Sequence, residues 1–160
     1  MASDPAPAAF CNDRIGGVAV WRVELKCRRR MPNASLVSIV EDDRFFRESM
    51  KRLMKSLGYR CAVFPSAAAF LRSPRLAKTA VLIADIYMPG MTGLELYRNL
   101  IDTGRPIPTI LMTSYPDADV EARALSEGVV CYLRKPLDEQ HLVGCLRAAL
   151  ETGEAAGENF

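Results

Sequence analysis

Five short apolar runs punctuate the chain from Leu36 onward, and between them apolar residues recur three and four positions apart. The runs are Leu36–Val40, Cys61–Phe64, Ala80–Ala84, Ile107–Met112 and Val129–Leu133. Runs of this length predict strands, and the continuous apolar run Ala80–Ala84 predicts one buried on both faces. After the first run, Phe46, Met50, Leu53 and Leu57 share one helical face, which predicts an amphipathic helix over Arg44–Leu57 with Gly58 just past its end. Ser66 is placed to cap a short helix over Ala67–Arg72, and Pro74 closes that region. A third helix is expected over Gly93–Ile101, with Leu96 and Leu100 inward, broken by Thr103-Gly104-Arg105-Pro106. A fourth begins at Asp117 or Asp119 and runs through Glu127 to Gly128. Asp138 is expected to cap a fifth helix carrying the stripe Leu142, Cys145, Leu146, Ala149 and Leu150, before a polar tail from Glu151 onward.

Five strands alternating with five helices through short connections define an α/β fold with a parallel sheet covered on both faces. At this size the expected arrangement is the flavodoxin-like (βα)5 doubly wound sheet, strand order 2-1-3-4-5, with its switch point between the first and third strands. This domain is expected over residues 35–151, followed by a polar tail over 152–160. Residues 1–34 have a different texture. Met1–Ala9 is rich in Ala and Pro and reads as disordered, whereas Trp21–Arg28 alternates apolar and charged residues as a strand does. Met31 immediately precedes the regular pattern, so the first thirty residues are read as a disordered or non-native extension, with Met31 as the natural start.

Composition narrows the function classes. Of 160 residues, 49% are hydrophobic and 25% charged, values ordinary for one soluble domain with a sizeable core. The net charge of +2 is too small to argue for nucleic acid. The basic run Arg28–Arg30 is read as a solvated linker, so no direct nucleic-acid binding is expected. The five cysteines include no Cys-x-x-Cys pair, and the chain has one His, which argues against zinc. Cys61 and Cys131 fall in strand-like runs and read as buried small hydrophobes in a reducing compartment. No stretch is apolar enough to span a membrane, and Ile15–Trp21 is a poor secretory signal, so the expected location is cytoplasmic.

The chemistry-bearing residues fall at strand ends. Glu41 and Asp42 follow the first strand, Asp85 the third, Thr113 the fourth, and Lys135 the fifth, on a Lys-Pro peptide. Taken singly, Asp85 reads first as a strand terminator, Thr113 as a strand-end or capping residue and Lys135 as a surface lysine, while Asp43 belongs to the start of the first helix. The fold gathers them at one sheet edge, the crevice where open α/β sheets bind ligands. Clustered carboxylates repel one another, and a hard cation such as Mg²⁺ relieves that repulsion. A carboxylate is also a competent nucleophile toward phosphorus. An ammonium and a hydroxyl, here Lys135 and Thr113, would stabilise the charge that develops on the transferred phosphoryl group.

Four segments, IVEDD at Ile39–Asp43, IADIYMPGMTG at Ile83–Gly93, MTSYPD at Met112–Asp117 and CYLRKP at Cys131–Pro136, together resemble the receiver domain of two-component response regulators. The resemblance runs from about Leu36 to Leu150, and its flavour is that of the subgroup often linked to helix-turn-helix output domains. It implies that Asp85 accepts a phosphoryl group from a histidine kinase or phosphotransfer protein. It implies further that Glu41, Asp42, Asp85 and the backbone carbonyl of Tyr87 hold Mg²⁺, and that Thr113 and Lys135 contact the phosphoryl group. Tyr132 would be the switch aromatic that packs inward as Thr113 moves. The implied partners are the phosphodonor and a downstream protein target, with homodimerisation through the face of the fourth helix, fifth strand and fifth helix as a further option.

Two departures stand out: the first acid of the pair is Glu41, and two rings, Tyr87 and Tyr115, flank the site. Only ten residues follow Leu150, so a stand-alone receiver is expected, a signalling switch and not a turnover enzyme. An interaction module that ignores phosphorylation stays open because of Glu41. A phosphohydrolase using an aspartyl phosphate is disfavoured, since Tyr87 stands where a second acid would be needed.

Overall fold

The computed structural model of the protein describes residues 35–157, with side chains as far as residue 153. The expectations for residues 1–34, including the alternating segment Trp21–Arg28 and the start at Met31, lie outside the described residues. The strands are β1 (Leu36–Val40), β2 (Arg60–Phe64), β3 (Thr79–Asp85), β4 (Thr109–Thr113) and β5 (Cys131–Arg134). The helices are α1 (Arg44–Ser56), α2 (Ala67–Leu71), α3 (Gly93–Asp102), α4 (Ala118–Ser126) and α5 (Glu139–Gly157), with a 3-10 turn at Leu76–Lys78. All neighbouring strands pair in parallel in the order β2-β1-β3-β4-β5, the expected doubly wound sheet.

Every residue of β1 and β4 is buried, which explains why those segments are mostly apolar despite Ser38, Thr109 and Thr113. Alternate strand residues feed two cores. One, on the α1 and α5 side, contains Ile39, Met54, Ile83, Met112 and Leu146. The other, on the α2, α3 and α4 side, contains Val40, Phe70, Leu96, Leu100 and Tyr132. The buried hydroxyl of Ser38 pairs with that of half-buried Thr79 across the β1–β3 pair at 2.7 Å, and Thr79 donates in turn to the Arg75 carbonyl at 2.9 Å. No described helix is long and apolar enough to cross a membrane.

Helix starts follow their capping residues. Asp43, Ser66 and Asp117 each accept a backbone N–H from the first turn of α1, α2 and α4. Asp138 does the same for α5 through His141 N–H at 2.8 Å. Helix α3 starts on a capping box, Thr92 with Glu95, which the sequence pattern did not single out. Three element boundaries differ from expectation by two residues or more. The fourth strand begins at Thr109 and not Ile107, because Pro108 has no N–H to donate to a ladder. The fifth begins at Cys131 and not Val129, because the Val129 N–H closes the end of α4 on the Ala124 carbonyl. The polar segment after Glu151 continues α5 to Gly157 where a tail was expected from 152; at Gly153 the helix passes Pro108 and the Ala80 carbonyl closely.

One cysteine expectation is corrected. Cys131 is not a free thiol but is joined to Cys145 in a disulfide between β5 and α5, their Cα atoms 6.0 Å apart. The inward stripe of α5 carries Cys145 onto the strand, a pairing that a separation of 14 residues does not signal by spacing alone. Cys61 is a free cysteine on β2, half-buried where burial was expected.

Gly93 ties the fold to the strand tip. A β-carbon there would overlap the Asp85 backbone carbonyl oxygen, so α3 can start this close to β3 only with glycine. In a helix, replacing Gly by Ala ordinarily gains about 0.5–1 kcal/mol. Here we expect Gly93→Ala to cost about 1–3 kcal/mol through overpacking, measured by urea unfolding.

Candidate functional site

Register alone assembles the site. Val40 pairs with Ala84, so Glu41 and Asp85 leave adjacent strands at the same level. Asp85 pairs with Met112 and Thr113 with Arg134, which sets Thr113 and Lys135 one step beyond on the next strands. The Lys135 backbone is fixed there, its N–H donating to the Thr113 carbonyl at 2.8 Å, ahead of a cis Lys135–Pro136 peptide.

At the centre is a single ammonium between two buried carboxylates. Lys135 Nζ donates to Glu41 Oε2 and to Asp85 Oδ2, each at 2.7 Å. Glu41 is wholly buried and Asp85 is 6% exposed, so both depend on these partners. The second oxygen of each carboxylate takes a backbone N–H: Glu41 Oε1 from Asp43 at 3.1 Å, Asp85 Oδ1 from Tyr87 at 3.1 Å. Asp42 is exposed beside them, and carboxylate oxygens of Glu41, Asp42 and Asp85 all lie within 4.8 Å of one another.

Burial raises the Glu41 carboxyl above its usual range and the Asp85 charge adds to the rise, although the Lys135 and Asp43 hydrogen bonds pull against it. For Lys135, desolvation pulls the ammonium pKa down, but the hydrogen bonds and charges of Asp85 and Glu41 outweigh it and the pKa rises.

Thr113 and Tyr132 sit at this edge in a more specific state than their sequence positions imply. The Thr113 hydroxyl donates to the Tyr115 carbonyl at 3.2 Å and accepts the Tyr115 N–H at 3.0 Å, so it is engaged with its own loop and not with Asp85. Tyr132 is already buried, and its hydroxyl accepts a long hydrogen bond from the Asp117 N–H at 3.4 Å, at the cap of α4. The Tyr87 and Tyr115 rings meet edge to face, centroids 6.0 Å apart, and both are solvent-exposed.

Two supporting residues were not legible as such. Phe46 was assigned to the inner face of α1, yet its ring also lies 4.2 Å from Lys135 Nζ. Arg47 donates to the Glu41 carbonyl at 2.7 Å and the Asp42 carbonyl at 3.3 Å, fixing the acidic turn. Both fall on the first turn of α1, where helical periodicity reports burial but not what a side chain touches.

A sheet in this order, carrying three acids, a hydroxyl and a lysine at its strand tips, is a flavodoxin-like doubly wound domain with its polar side chains gathered at the switch point. The chain belongs to the response regulator receiver domain family, whose model matches residues 37–147. It is similar to the response regulator protein TmoT of Ectopseudomonas mendocina, 34% identical over 78% of this chain and 57% of that protein. It is also similar to the transcriptional regulatory protein FixJ of Azorhizobium caulinodans, 33% identical over 75% of this chain and 57% of that protein. The chain therefore spans little more than half the length of these curated relatives. Among solved structures, the response regulator StyR matches with a TM-score of 0.72 at 30% identity, over 78% of this chain and 63% of that one. FixJ-N matches with a TM-score of 0.66 at 31% identity, over 73% of this chain and 94% of that one.

The raised Glu41 pKa has a signed consequence. A carboxyl whose folded pKa lies above its unfolded value of about 4.5 binds more protons folded, so its contribution to stability falls as pH rises through the folded pKa. In metal-free buffer, Glu41→Gln is expected to gain on wild type as pH rises from 4.5 toward 7, read by urea unfolding across that range. Lys135→Met leaves both carboxylates without a counter-charge, and we expect a loss of about 3–5 kcal/mol at pH 7 in the same assay.

Proposed function

We propose that the domain is a phosphorylation-controlled switch in which Asp85 accepts a phosphoryl group from a histidine kinase or phosphotransfer protein. The observation that carries this reading is the Asp85 carboxylate held at a strand tip by Lys135, beside two further acids, 2.7 Å from the ammonium. An in-line attack by an Asp85 oxygen forms the O–P bond as the donor's P–N bond breaks. Lys135 can follow the transferred oxygens without leaving the site, because its ammonium already touches the attacking group. Thr113 must exchange its hydrogen bond to the Tyr115 carbonyl for one to a phosphoryl oxygen.

The donor set suits Mg²⁺: all oxygen, all carboxylate, and close enough for one small ion. Glu41, Asp42 and Asp85, with the Tyr87 carbonyl, would hold it. When bound, Mg²⁺ supplies positive charge against the clustered acids and the phosphoryl oxygens. Glu41 would reach such an ion only by giving up part of its contact with Lys135.

Thr113 and Tyr132 then connect the site to a surface. Movement of the Thr113 hydroxyl pulls on the Tyr115 turn, which leads directly to the Asp117 cap of α4 and its contact with Tyr132. Beside Tyr132 a shallow groove, lined also by Glu121, Arg134, Pro136 and His141, runs between α4, β5 and α5. This face is the place for a downstream protein target or a second copy of the chain. The activity is a single transfer and slow loss of phosphate, with no turnover of a substrate.

Incubation with a small phosphodonor and Mg²⁺ should label the wild-type chain, and chelation should abolish the labelling. Asp85→Asn should not label. Thr113→Ala should label about 10- to 100-fold more slowly, the worth of one hydrogen bond to a charged group. Equal labelling of wild type and Asp85→Asn would sink the reading.

A further inference from the structure

The disulfide plays no part in the chemistry above, and it is oddly placed for a purely structural bridge. β5 is an edge strand of the sheet, and Cys131 on it is only half-buried. Its partner Cys145 is 3% exposed, on the inward stripe of α5 between Leu142 and Leu146. The bond therefore joins a half-buried strand residue to a buried helix residue, on the strand and helix that form two sides of the groove beside Tyr132. Cys131 directly precedes Tyr132 in the chain and lies four residues before Lys135 on the same segment. Cys61, equally half-buried on the opposite edge strand, is a free cysteine, and burial pushes its thiol up to about 11.

We propose that Cys131 and Cys145 are a reversible thiol–disulfide couple, entered at Cys131 by low-molecular-weight disulfides of the glutathione class, that fastens α5 to β5. In the oxidising direction the Cys131 thiolate attacks a sulfur of the disulfide, forming a mixed disulfide and releasing one thiolate. The Cys145 thiolate then attacks the Cys131 sulfur and expels the second thiolate. Two electrons pass from the cysteine pair to the small disulfide, and the two protons end on the two small thiols. Reduction runs the same steps backward and leaves α5 held only by its apolar stripe. The redox state thus sets how firmly one wall of the Tyr132 groove is held, independently of phosphorylation.

The test uses the full chain equilibrated in buffers of varied reduced to oxidised glutathione ratio, then acid-quenched and alkylated. Trypsin leaves Cys131 in residues 124–134 and Cys145 in residues 135–147, so the bridge is read as a cross-link between two peptides. We expect that cross-link to appear and disappear reversibly across the series, while the peptide bearing Cys61 stays alkylated throughout. Amide hydrogen exchange in residues 139–153 should quicken about tenfold or more on reduction, as expected when a local opening loses a tether. That change should be missing in both C131A and C145A and preserved in C61A. The proposal is overturned if the pair remains two alkylated thiols at every ratio, if the bridge survives the most reducing buffer, or if exchange in α5 is the same in both forms.

Discussion

The site depends on one ammonium. Glu41 and Asp85 emerge from neighbouring buried strands, and their like charges lie within 4.8 Å. At an effective dielectric near 20, two unit charges at that distance repel by roughly 3–4 kcal/mol, beyond the cost of burying each. Lys135 meets both at 2.7 Å, and each of those attractions is larger than the repulsion because the distance is shorter. The requirement propagates outward. Lys135 must be held by the β4–β5 pairing, by the Thr113 carbonyl and against the Phe46 ring, so α1, β4 and β5 are all constrained by the pair of acids on β1 and β3.

The same arrangement makes the site responsive. An ammonium shared between two carboxylates is already committed, and a cation or phosphoryl group arriving there redistributes an existing charge balance. Thr113 is committed as well, to the Tyr115 turn, so in the proposed switch its recruitment would reach the α4 cap along the short backbone from Tyr115 to Asp117. Such a coupling would need no long path, since Thr113, Tyr115, Asp117 and Tyr132 lie at one rim of the sheet.

Most of the fold was legible because both-face burial writes itself as short, mostly apolar runs, and because Asp43, Ser66, Asp117 and Asp138 are strong capping signals. The site residues were legible for the same reason, each standing at the end of such a run. What was hidden depends on contacts. The hydroxyl of Thr113 bonds its own loop, Phe46 serves both the core and Lys135, and Gly93 is required by a carbonyl on another element. The pairing of Cys131 with Cys145 follows from how α5 lies on β5, which no pattern within either segment encodes. The early ends of the apolar runs at Ile107 and Val129 misled for a related reason: burial continues past the last ladder hydrogen bond.

The most direct test of the account is chemical location of the phosphate. After incubation with a small phosphodonor and Mg²⁺, borohydride reduces an aspartyl phosphate to homoserine, which peptide mass spectrometry places in the sequence. Homoserine at position 85, absent when Mg²⁺ is chelated, is the predicted result. Homoserine at Asp42 or Asp117 instead, or at no position, would contradict the assignment of Asp85 as the phosphoacceptor.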